Sequence, residues 1–166
     1  MSLMPVFSPT AAAGLSVTFV TSVASSTAAS TSLTFSSVSL GVAAADRQIV
    51  VLAGCSMNTA AAITGVTVGG VSGALLVSAG ATSRSANMYI ASVPSGTSGD
   101  IVVSINTGTG EAWGIGVYRV TGTASTTASD TATQNSTSPA PIALTISCPA
   151  GGAIIAGGIT DVSGAG

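Results

Sequence analysis

Short runs of alternating apolar and small polar residues recur along the chain, and no stretch keeps a 3.6-residue apolar period with charged outer positions. A period of two places successive side chains on opposite faces of a strand, so the pattern argues for β-structure and against helix. The candidate strands are LSVTFV (15–20), LTFSSVSL (33–40), QIVVLAG (48–54), ITGVTVGG (63–70) and ALLVSA (74–79). ANMYIASV (86–93), DIVVSI (100–105), AWGIGVYRV (112–120), PIALTIS (141–147) and GAIIAGGIT (152–160) complete the set. Between them lie AAADR, GGVSG, PSGTSGD, NTGTGE and CPAGG, rich in the residues that reverse a chain. Strands at this spacing predict an all-β fold, an antiparallel β-sandwich of jelly-roll or immunoglobulin-like type with about ten strands.

Within that pattern some side chains can be placed. Ile101, Val103 and Ile105 share one face of their strand and are expected on the core side. Pro94 and Gly96 bend the chain before them, and Asp100 is expected to cap that turn. Gly114 and Gly116, set between Trp113, Ile115 and Val117, strip one strand face of side chains. Such a pattern marks either a bulge or the close approach of another backbone.

A length of 166 residues with 46% apolar content suits one domain with a sizeable core. Met1 to Gly14 is uncharged, contains Pro5 and Pro9, and reads as an extended N-terminal arm (1–14) ahead of a single sandwich domain (15–166). Residues 24–32 form a linker, and residues 122–141 a long polar excursion of the kind that is functional or laid against a partner. The arm and this loop are the expected subunit contacts. TDVSGAG follows closely on a strong strand, so a domain incomplete at its C-terminus is expected.

Charge excludes more than it suggests. Only 5% of residues are charged: Arg47, Arg84 and Arg119, with Asp46, Asp100, Glu111, Asp130 and Asp161, and neither Lys nor His. Three scattered arginines cannot neutralise a row of phosphates, so nucleic acid is not the partner. The longest strongly apolar run, IVVLAGC (49–55), falls far short of the roughly 20 residues of a spanning helix. Phe7, Phe19, Phe35, Tyr89, Trp113 and Tyr118 are too few for the aromatic girdles of a membrane barrel. The N-terminus lacks the basic and apolar regions of a classical export signal. A soluble protein without membrane insertion is expected.

The chemical inventory is equally bare. Without His or Lys the commonest general bases, the usual zinc ligand and Schiff-base chemistry are missing. Asp46, Asp100, Glu111 and Asp130 sit beside turn residues, where carboxylates cap or face solvent, and they lack the spacing of a calcium loop. No catalytic, cofactor-binding or metal-binding residue is assigned, and an enzyme is not expected. Cys55 and Cys148 either pair across the sandwich or stay as buried free thiols, and the missing export signal favours free thiols. Asn135 opens a glycosylation sequon that matters only on a secretory route. Trp113 and Tyr118 could stack on a sugar, although their place in an apolar strand favours core packing.

The missing lysines carry the strongest implication. Sheets usually guard their edges with Lys and other charges, which deter pairing with a second sheet. A chain of strands without them needs its edges covered, most simply by neighbouring subunits, and that points to an ordered assembly.

Across residues 44 to 160 the segments ADRQIVVLAG, ITGVTVGGVSGALL, MYIASVPSGTSGDIVVSI, AWGIGVYRVTG and PAGGAIIA occur in order. In this combination the chain resembles small β-sandwich virion structural proteins of tailed bacteriophages and prophages. The resemblance implies a non-enzymatic structural protein, a capsid decoration or a head/tail appendage, assembled in the host bacterial cytoplasm into the virion. It implies as partners copies of the chain itself and other virion proteins, and it transfers no active residue. The alternative from a different class is an adhesive or carbohydrate-binding β-sandwich module of a fibre or cell-surface protein. That reading requires an exposed aromatic platform from Trp113, Tyr89 or Tyr118.

Overall fold

The computed structural model describes residues 14–29, 31–81, 83–134 and 143–158. Nine strands and no helix occur among them: β1 (Ser16–Ser25), β2 (Ser32–Ser39), β3 (Gln48–Met57), β4 (Ile63–Val68), β5 (Val71–Ser72), β6 (Ala74–Ala81), β7 (Arg84–Ser92), β8 (Ser98–Ile105) and β9 (Gly110–Thr121). They form a five-stranded sheet in the order β1-β9-β3-β7-β6 and a four-stranded sheet in the order β2-β8-β4-β5. All pairings are antiparallel.

The pairings are nested: β1 with β9, β2 with β8, β3 with β7, and β4 with β5. A long antiparallel hairpin rolled onto itself produces this order, and the result is a jelly roll rather than an immunoglobulin-like sandwich. The innermost hairpin, β4–β5, turns at Gly69 and Gly70 with φ of 56° and 82°. Two successive positive φ values are what a two-residue type I′ turn requires. The sixth strand is an addition to the roll. β5 leaves the small sheet at Gly73, whose N–H donates to Val66 O at 2.8 Å, and continues as β6 along the edge of the large sheet.

The main core lies between the sheets. Ile49, Val51, Ala53 and Cys55 of β3 and Trp113, Ile115 and Val117 of β9 meet Val66 and Val68 of β4 and Ile101, Val103 and Ile105 of β8. The expected core face of β8 is therefore the observed one. A second apolar cluster occupies the outer face of the five-stranded sheet, with Val50, Met88, Ile90 and Val120 at its centre and Ile155 packed against it. The large sheet is thus apolar on both faces, which explains why IVVLAG lacks the clean alternation of a half-solvated strand.

Two expected strands are corrected. Residues 143–147 and 152–158, the described parts of PIALTIS and GAIIAGGIT, contain no strand. Their alternation suits a pleat, but neither segment joins a ladder in its own chain. Residues 144, 145, 147–154 and 156–158 are exposed instead. The expected arm, residues 1–14, lies outside the described residues except for Gly14, as do Asn135, Asp161 and residues 135–142 of the long loop.

Candidate interaction surface

Several of the polar residues act as internal fasteners. Arg47 is fully buried, and its guanidinium donates to five backbone carbonyls: Val93 at 2.6 Å, Ser95 at 2.7 Å, Gly96 at 2.8 Å, Gly41 at 2.9 Å and Leu40 at 3.4 Å. One side chain thereby ties the 40–41 turn to the 93–96 loop, and the DR turn before β3 acquires a structural meaning. Burial first, and the nearby Arg119 second, lower its pKa from the ordinary guanidinium value. Arg119 lies in β9 and donates through Nε to Val42 O at 2.8 Å.

Asp46, Asp100 and Asp130 accept from backbone N–H groups. Asp46 accepts from Gly122 N–H at 2.7 Å and Asp130 from Ser147 N–H at 2.7 Å. Asp100 is corrected in detail. It lies within β8, and its carboxylate accepts at 2.8 Å from Ser37 N–H in the bulge of β2 instead of capping the turn before its own strand. Ser37 has φ of 54°, a left-handed conformation that the cap helps to hold. Among the described residues no three His, Cys, Asp or Glu side chains gather closely enough to hold a metal ion.

Two concavities border the large sheet. The first, about 600 Å³, is mixed in polarity, and Ala61, Ser78, Ser85, Asn106 and Thr133 are among its lining residues. Beneath it, Asn87 Nδ2 donates to Ile63 O at 2.9 Å, while Asn87 Oδ1 accepts from Ser78 Oγ at 2.9 Å and Ser85 Oγ at 3.2 Å. Ile63 N–H donates to Ser85 Oγ at 3.2 Å. The Ser85 hydroxyl thus serves a cross-link between β7 and β4.

The second concavity, about 510 Å³, lies on the outer face of the large sheet and is apolar. Leu52, Gly54, Gly114 and Gly116 lie beneath it, and Phe19 and Tyr118 stand beside them. Gly114 and Gly116 here are neither a bulge nor a site of backbone approach, since both pair in regular register with β1 and β3. Their missing side chains leave open space. Phe19 and Tyr118 meet edge to face, with ring centroids 5.4 Å apart and planes at 65°. Trp113 and Tyr89 belong to the core, at 3% and 4% exposure, so they cannot form the exposed platform that a sugar would stack on. Trp113 Nε1 is the only buried side-chain N or O atom without a hydrogen-bond partner among the described residues.

The sheet edges are the most unusual surface. β1 and β6 flank the large sheet, and β2 and β5 flank the small one. None of the four contains a charged residue or a proline. Four of the exposed large apolar side chains lie on them: Phe19 and Val23 on β1, Val71 on β5 and Leu75 on β6. Register shifts interrupt β1 after Phe19, β2 after Phe35 and β6 after Leu75, so irregularity is the edge device that remains. Edges free of charge were readable from the missing lysines, whereas the groove beside β1 was not, because it depends on which strands become neighbours.

Neither cysteine forms a disulfide. Cys55 is buried as expected, and burial pushes its thiol up to about 12. Cys148 is exposed, which corrects the expectation of two buried thiols: the segment that carries it joins no sheet. No protein-family model matches the chain, and neither a curated protein nor a solved structure matches it.

Proposed function

We propose that the chain is a non-enzymatic structural protein of a tailed-phage virion, a capsid decoration or head/tail appendage that acts through contacts between subunits. The observation that carries this reading is the state of the edges. Four edge strands of the described sheets lack charge and proline, and three of them present large apolar side chains, so they offer a neighbour a ladder edge with no charge to repel it. The jelly-roll order adds support by analogy alone, since the same architecture serves both viral capsids and lectins. The adhesive alternative retains Phe19 and Tyr118 as surface aromatics, but their edge-to-face packing presents no flat platform.

Two measurements test the reading. The intact chain should sediment as an oligomer, and raising NaCl should leave its mass unchanged, because screening acts on charges that are scarce here. An antibody to the chain should label tailed particles purified from the source of the sequence. A monomer at high concentration, together with unlabelled particles, would overturn the proposal.

A further inference from the structure

We propose that residues 143–158 are an assembly arm that adds as a strand to edge β1 of a second copy of this chain. The proposal rests on the reading that the chain self-assembles and names the surfaces that do it.

The segment has strand chemistry without a strand partner. Leu144, Ile146 and Cys148 alternate with Thr145 and Ser147, and AIIA follows at 153–156, with no charged residue anywhere in 143–158. The turn between the two runs is already formed: Gly152 N–H donates to Pro149 O at 2.9 Å, with Gly151 at φ 77°. No described residue of the segment belongs to a ladder, and Leu144 and Ile154 stand 50% and 54% exposed. A β-branched and apolar run with unpaired backbone is a donor for strand addition.

The later part of the segment lies on its own large sheet, with Ile155 against the outer apolar cluster and Gly157 against Leu52, and the earlier part is held through side chains. Ser147 N–H donates to Asp130 and Ala143 N–H to Gln134 Oε1 at 3.0 Å. The two pairs share one antiparallel register, since the step from Asp130 to Gln134 runs forward as far as the step from Ser147 to Ala143 runs back. The segment therefore runs back along the polar stretch 130–134 and is tethered there by side chains.

Among the edges β1 fits the arm best. It is ten residues long, against eight for β2 and β6 and two for β5. The run 143–148 covers about 20 Å when extended, well within the length of β1. The bulge of β2 is pinned by Asp100, and Thr133 of the chain's own loop lies at the pocket beside Ser78 and Gly80 of β6. The groove beside β1 is likewise lined by the chain's own segment, at Gly158, so β1 is favoured by its length and by the exposed Phe19. Phe19 is 56% exposed, and the apolar groove over Gly114 and Gly116, lined in part by Gly158 of the same chain, lies next to it.

Sedimentation velocity of the full chain over a concentration series tests this. The arm variant Leu144→Asp/Ile154→Asp and the edge variant Ser22→Lys should each raise the half-association concentration by at least about tenfold. Leu75→Lys on β6 should leave it unchanged. A second measurement does not depend on those variants folding. A Cys148→Ser chain carrying Ser22→Cys is mixed with the unsubstituted chain under mild oxidation, and disulfide-linked dimers containing one of each should form. An oligomer indifferent to the arm and β1 variants, or a mixture without mixed dimers, overturns the arm while leaving self-assembly standing. A monomeric unsubstituted chain at every concentration overturns self-assembly itself.

Discussion

Strand β3 and the segment 143–158 look alike in sequence and end in opposite circumstances. Both are uncharged and rich in aliphatic residues. β3 pairs with β7 on one side and β9 on the other, and Ile49, Val50 and Val51 are all buried. The segment 143–158 joins neither sheet, and most of it is exposed. Intrinsic preference for the strand is the same in kind, and what separates the two regions is whether neighbours supply a ladder and two covered faces. β-propensity of this sort describes a fit to a pleated, half-buried surface rather than a property of the backbone alone. The difference teaches that in a charge-poor β protein, pairing rather than local sequence decides which strand-like segments become strands.

The comparison can be broken by substitutions that separate packing from sequence. The largest effect is expected at the clamp that holds the roll closed in front of β3. Arg47→Ala leaves buried carbonyls without a donor and should destabilise the fold by about 3–5 kcal/mol in urea unfolding. Arg47→Lys should recover only part of this, because a single ammonium cannot copy the fork that reaches both loops. An unchanged midpoint in Arg47→Ala would show that the loops hold without it.

Next come paired truncations of the same residue type. Ile49→Ala in β3 should cost about 2–5 kcal/mol, since Ile49 is wholly buried. Ile154→Ala, in the unpaired segment, should change stability by less than about 0.5 kcal/mol. Equal costs at the two sites would erase the distinction between the regions.

A smaller effect is expected at Gly110, where β9 begins. The Trp113 indole lies against its Cα, in the space that a side chain would need. Gly110→Ala should therefore destabilise the fold by about 1–3 kcal/mol, with a change in tryptophan fluorescence as the ring moves.

The smallest expected effect contrasts the two thiols. Cys148, exposed in the unpaired segment, should react with a thiol reagent in the native protein, whereas Cys55 in β3 should react only after unfolding. Between pH 9.0 and about 12 the unfolded chain ionises this thiol while the folded chain does not. The unfolded state then binds fewer protons, so stability falls as pH rises through that window. Cys55→Ala should make the alkaline decline shallower, and an identical decline would remove Cys55 as its source.

Much of the sandwich was readable because periodicity and turn chemistry are local. The core face of β8 follows from Ile101, Val103 and Ile105, and a reversal from GGVSG, although Val71 and Ser72 within it form the short strand β5, which the pattern did not show. The strand order was not readable, since nested pairing joins β1 to β9 across most of the chain. The same non-local pairing explains the misassigned strands at 141–147 and 152–160, whose pattern is that of a strand but whose ladder is absent from the described residues. Of the interaction surface, the lack of charge at the edges was visible in the missing lysines. The groove over Gly114 and Gly116 was not, because it exists only once Leu52 and Tyr118 are brought beside those glycines.

Hydrogen exchange read by mass spectrometry, on dilute and concentrated samples of the intact chain, tests the central claim directly. Amides of β3 should be protected equally in both, because their ladders are internal. Amides of 143–158 and the outward amides of β1 should exchange rapidly in the dilute sample and slow together as the protein associates. Rapid exchange of 143–158 at every concentration, with the chain assembled, would contradict the account.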